Sequence, residues 1–77
     1  MLEFGRYTST MLWFYEKHEA RLHYEIRRQC DGDDFELVIT HPTGQQEVER
    51  YTDPNQLVQR SHDLQRTLRT DGWRPKG

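Results

Sequence analysis

Between Asp53-Pro54 and Gly72 the apolar residues of this chain recur every three or four positions, whereas from Met11 to Ile39 they recur every second one. That change of period constrains the fold more than any other feature, because alternate residues share a strand face and residues three or four apart share a helix face. The helical segment is also punctuated at both ends. Asp53 can accept bonds from the free amides of a first turn, Pro54 suits the first helical position, Gln56 is placed to return a bond to the cap, and Gly72 permits a left-handed residue after the last turn. Leu57, Ser61, Leu64 and Leu68 form one stripe flanked by Val58 and Gln65, and Arg60, His62, Asp63, Arg66 and Arg69 cover the rest. Trp73 is positioned to fold back on the last turn.

Upstream, the run MLWFYEK from Met11 to Lys17 is rich in residues that favour strands, and the polar Lys17-His18-Glu19-Ala20 turns it back. Arg21 to Arg28 alternates, with Leu22, Tyr24 and Ile26 on one side and Arg21, His23, Glu25 and Arg27 on the other. Asp31-Gly32-Asp33 offers an Asp-Gly pair suited to positive φ in a tight hairpin. Phe35 to Thr40 resumes the alternation, His41-Pro42-Thr43-Gly44 breaks it, and Gln46 to Tyr51 reads as a weaker, polar edge strand. Arg74 to Gly77 reads as a short polar tail. Residues 1–10 have no clear period and are left unassigned as a leader, an extra strand or an added segment. The expected fold is a single α+β domain over residues 11–77, a four-stranded antiparallel meander followed by one amphipathic C-terminal helix packed on one face.

A single domain of 77 residues buries a modest share of its surface, and Leu, Ile, Val and Phe together number only fifteen. Nine aromatic residues and a net charge of only −2 argue for a folded chain all the same, one that gains stability by self-association. Cys30 is the lone cysteine and has no internal disulfide partner, which suits a reducing compartment. No secretory pattern and no apolar run of membrane-spanning length is present, so a cytoplasmic protein without membrane contact is expected.

Closing the second hairpin at its turn places Ile26 opposite Leu37 and Tyr24 opposite Ile39; closing the first with Lys17 opposite Ala20 adds Tyr15, Trp13 and Met11 to the same face. The helix is expected there. Leu12, Phe14, Val38 and Tyr51 then fall on the uncovered face, among Arg21, His23, Glu25, Arg27, Glu36 and Glu49, and form the candidate interaction surface. A one-residue slip of the first hairpin would put Trp13 and Tyr15 there instead. Scattered apolar surface residues are the plainer reading; a patch that another molecule covers is the sharper one.

Other constellations carry less. His18 and His23 stand five apart across a turn, not four apart on a helix face as a zinc-peptidase pair would. Asp31, Asp33 and Asp34 lack the twelve-residue ligand series of a calcium loop. Cys30 and the His23/Glu25 pair lack the further groups that would complete a catalytic site. No catalytic residue, metal ligand or cofactor is therefore expected. Arginines are the remaining resource: Arg21 and Arg27 on the sheet, with Arg66 and Arg69 on the helix, are candidate nucleic-acid contacts if sheet aromatics stack on unpaired bases. The glutamates interleaved with the sheet arginines, at positions 25, 36, 47 and 49, oppose a phosphate backbone.

Four antiparallel strands followed by one C-terminal helix resemble the half-repeat of PUR-type and PC4-type single-strand nucleic-acid binders, in layout alone. That resemblance implies pairing of two such units and contact with single strands. The PC4 type carries a long basic loop where the turns here are DGD and HPTG. The stretches WFYEK, FELVITHPTGQQEVERYTD and DGWRP, within Leu12 to Pro75, also resemble short bacterial proteins of unknown function. The expectation is a small non-enzymatic interaction module, a homodimer joined through the sheet face or edge strand that the helix does not cover, or one awaiting an unknown protein partner, with single-stranded nucleic-acid binding as the alternative.

Overall fold

The computed structural model describes residues 7–30 and 32–76. The chain runs β1 (Tyr7–Lys17), β2 (Ala20–Gln29), β3 (Phe35–Thr40), β4 (Gln46–Tyr51), α1 (Pro54–Thr70) and β5 (Arg74–Pro75). The strands form one antiparallel sheet in the order β4-β3-β2-β1-β5, so the α+β meander with a C-terminal helix expected from the sequence is what the chain adopts.

The registers follow from short turns. Lys17 stands opposite Ala20, Ile26 opposite Leu37 and Tyr24 opposite Ile39, as the turn positions require. His18 takes a φ of 55° to close the first turn in two residues. In the second turn, Asp31 of the expected Asp-Gly pair lies outside the described residues; the connection is closed where the Gln29 amide donates to the Asp34 carbonyl at 2.8 Å. Gly44, with φ of 92°, uses its freedom in the His41 to Gln45 turn.

Two segments join the sheet that the sequence left aside. Tyr7 to Thr10, within the unassigned flank, extend β1, while residues 1–6 lie outside the described residues. Arg74 and Pro75, read as tail, pair with Glu16 and Tyr15 as β5, and the Lys76 amide donates to the Phe14 carbonyl at 2.8 Å. The Schellman ending of α1 delivers them there. Gly72, with φ of 94°, turns the chain, its amide donating to the Arg69 carbonyl and that of Trp73 to the Leu68 carbonyl, so Trp73 packs back on the core. At the other end Asp53 Oδ1 accepts from the Asn55 amide at 2.9 Å; no bond returned by Gln56 occurs among the described residues.

One face of the sheet meets the helix. Tyr15, Leu22, Tyr24, Ile26, Leu37 and Ile39 bury against Leu57, Leu64 and Leu68. At the centre, the fully buried Tyr24 shares a hydrogen bond with Ser61 at 3.2 Å and accepts one from Gln65 at 2.8 Å, so the single polar residue of the helical stripe is satisfied. Trp13 stacks on Tyr24 with ring centroids 4.6 Å apart. The helix lies over β3 and β4, and Arg60 ties it to Glu49 of β4.

Candidate interaction surface

The uncovered face follows from the registers row by row. Leu12, Glu25, Val38 and Val48 occupy one row across β1, β2, β3 and β4; Phe14, His23, Thr40 and Gln46 occupy the next. Leu12 and Phe14 are therefore on the open side, as the unslipped hairpin requires, and are 47% and 48% exposed. Phe14 rests against His23 with ring centroids 5.5 Å apart.

Two of the four residues expected here are not part of the exposed patch. Tyr51 lies on the helix side. It pairs with Phe35 and packs against the core, and its hydroxyl donates to Glu49 at 2.7 Å. QEVERY has one apolar residue for each face, so its own pattern could not say which face is which; Val48, 52% exposed, takes the place assigned to Tyr51. Val38 is on the open face but only 1% exposed. The pairs Arg27–Glu25 (2.9 Å) and Arg50–Glu36 (3.2 Å) stand at neighbouring positions, and their aliphatic stems are available to cover it.

This ionic lattice also sets the charge state of the face. Burial works against ionisation of Glu25, but bonds from Ser9 and Arg27 outweigh it and hold its carboxyl below the usual glutamate range. Glu25 and Arg27 thus satisfy each other. Arg21 is exposed opposite Glu16. Arg66, beside Asp63 at 3.4 Å, and Arg69 project from the helix. Arg21 and Arg27 stand on one side of the sheet and Arg66 and Arg69 on the other, so the four arginines do not form one surface. Among the described residues, no three His, Cys, Asp or Glu side chains converge as metal ligands, and no helix is long and apolar enough to cross a membrane.

β1 is exposed in a way that its sequence reading did not capture. Met11, expected under the helix, is 56% exposed, because the helix sits over β3 and β4 and leaves this part of β1 uncovered. A groove of about 400 Å³ remains between them, lined chiefly by Met11, Trp13, Ile26, Phe35, Leu57 and Val58. Among the described residues, three of the five exposed large apolar ones, Met11, Leu12 and Phe14, belong to this one strand, on both of its faces. Its outer edge is also open: β5 covers only Phe14 to Glu16, and Tyr7 to Trp13 have no strand beyond them among the described residues. The available signal was the uncharged run Tyr7 to Tyr15, which marks an edge with nothing to repel a neighbour.

Searches of protein-family models, of curated proteins and of solved structures found no match to this chain.

Proposed function

We propose that this chain is a small non-enzymatic interaction module that self-associates through the surface α1 leaves uncovered. The observation that carries the reading is the concentration of exposed apolar side chains on β1, on both faces of a strand whose outer edge is largely unpaired. A domain this small gains from the arrangement: covering the exposed parts of Met11, Leu12 and Phe14 from two copies contributes on the order of several kcal/mol. A homodimer is the simplest closed assembly that does so. The lone Cys30, a free and exposed thiol, suits a reducing compartment, and we place the protein in the cytoplasm.

The test is mass in solution by light scattering across a range of concentrations. The unaltered chain is expected to approach twice the monomer mass, and Leu12→Asp with Phe14→Asp to return it to one while the far-ultraviolet dichroism is kept. A chain that is monomeric throughout, or a double variant of unchanged mass, overturns the proposal. Single-strand binding, the alternative, draws no support from arginines divided between the two sides of the sheet.

A further inference from the structure

Among the described residues, the outermost stretches of the sheet are on β4, β5 and the part of β1 beyond the reach of β5, and the first two are guarded. β4 carries Glu47, Glu49 and Arg50, and β5 consists of Arg74 and Pro75, the proline lacking a ladder donor. The third stretch, Thr8 to Trp13, reads TSTMLW, with no charge, proline or glycine. A run of this kind at an edge pairs with another strand unless something prevents it.

Which strand it suits follows from the bulge. Pairing with β2 shifts between Ser9 and Met11, leaving Thr10 as an extra residue. The shift changes which positions share a face. Thr8, across from Arg28 in the row of Phe35, is on the helix side with Met11 and Trp13; Ser9, across from Arg27, is on the open side with Leu12. When two identical antiparallel edges meet, the two-fold axis stands perpendicular to the sheet, so helix-side residues must meet helix-side residues. An axis between Thr10 and Met11 does this along the whole segment: Thr8 faces Trp13 of the second copy, Ser9 faces Leu12, and Thr10 faces Met11. Each pair also sets a small side chain against a large one, so the same six residues supply both knobs and spaces. Without the bulge this register would set opposite faces against each other.

We propose that a second copy of this chain pairs edge to edge with β1 through Thr8–Trp13, antiparallel about an axis between Thr10 and Met11, joining two sheets into one. β5 ends the pairing on each side, because the Phe14 carbonyl is already taken by Lys76. The helices then lie on the same side of the joined sheet, and the groove beside Met11 and Trp13 adjoins its counterpart across the axis. This rests on the self-association reading and names its geometry.

Two measurements test it. In a Cys30→Ser background, Ser9→Cys with Leu12→Cys is expected to form a covalent dimer on mild oxidation. Directly opposed strand residues lie within disulfide reach, whereas positions 9 and 12 of one strand are too far apart to bridge each other. Thr8→Cys with Leu12→Cys, on opposite faces, is expected to stay uncoupled. In the unaltered chain, outward amides of Thr8–Trp13 are expected to exchange at least about tenfold more slowly at dimeric than at monomeric concentration, with β4 amides unchanged. A dimeric mass with no added protection at Thr8–Trp13, or equal coupling in both cysteine variants, overturns this geometry and leaves self-association standing. A monomeric mass overturns both. Exchange on the unaltered chain decides the matter if a cysteine variant fails to fold.

Discussion

Arg60 on the helix grips Glu49 on β4 with two bonds, Nε to Oε1 at 2.8 Å and Nη2 to Oε2 at 2.9 Å, and Tyr51 adds a third donor to the same carboxylate. Helix and edge strand are held together by this planar, two-pronged contact as well as by apolar packing. It is also the place where stability should depend on acidity.

The bonds from Arg60, acting against desolvation and aided by Tyr51, hold the Glu49 carboxyl below its ordinary value. A group depressed on folding contributes stability that is fully present above its unfolded value and is lost as pH falls through the folded one. Urea midpoints are therefore expected to fall on acidification below the ordinary glutamate range. Glu49→Gln is expected to flatten that decline and to cost about 1 kcal/mol at neutral pH, both groups being partly exposed. An equal acid dependence in the variant would assign the decline to other carboxylates.

Tyr24→Phe removes the oxygen that joins Ser61 and Gln65 while keeping the ring that stacks with Trp13. It leaves the buried Ser61 hydroxyl without its partner and is expected to cost about 1–2 kcal/mol in urea denaturation. Adding Ser61→Ala should restore part of that loss, since removing both partners leaves no orphaned hydroxyl. A strictly additive double variant would mean the two residues are not coupled.

Gly72 ends the helix at φ of 94°, where an added Cβ would stand 3.4 Å from Lys17 Cε. Gly72→Ala is expected to lose about 1 kcal/mol from the left-handed backbone and to loosen Trp73 and β5, which follow the turn. Trp fluorescence should shift to longer wavelength in the native state. Unchanged stability and emission would show that β5 docks independently of the cap.

Val38 and Val48 are neighbours on the open face, and only Val38 is buried. Val38→Ala is expected to cost about 1–2 kcal/mol, and Val48→Ala no more than about 0.5 kcal/mol, each read as a shift in urea midpoint under conditions where the chain is monomeric. Equal costs would mean that the Arg27–Glu25 and Arg50–Glu36 stems do not shield Val38.

The four main strands, the helix and the pairing of the first three strands were legible in the residues because each depends on near neighbours. Alternation gives Leu22, Tyr24 and Ile26 one face, a two-residue turn forces Lys17 against Ala20, and Asp53, Pro54 and Gly72 mark the helix ends through local backbone bonds. The site was legible in half: Leu12 and Phe14 face outward as the register demands. The rest came from distant segments meeting. Tyr51 turns to the core because β3 sets its partner, Val38 is buried on the otherwise open face, and Met11 stays bare because the helix settles over β3 and β4. Arg74 and Pro75 become a strand only because the helix cap delivers them to Glu16 and Tyr15. Periodicity reports which face a side chain takes within its own segment, while burial depends on which remote atoms arrive above it, and no local pattern encodes that.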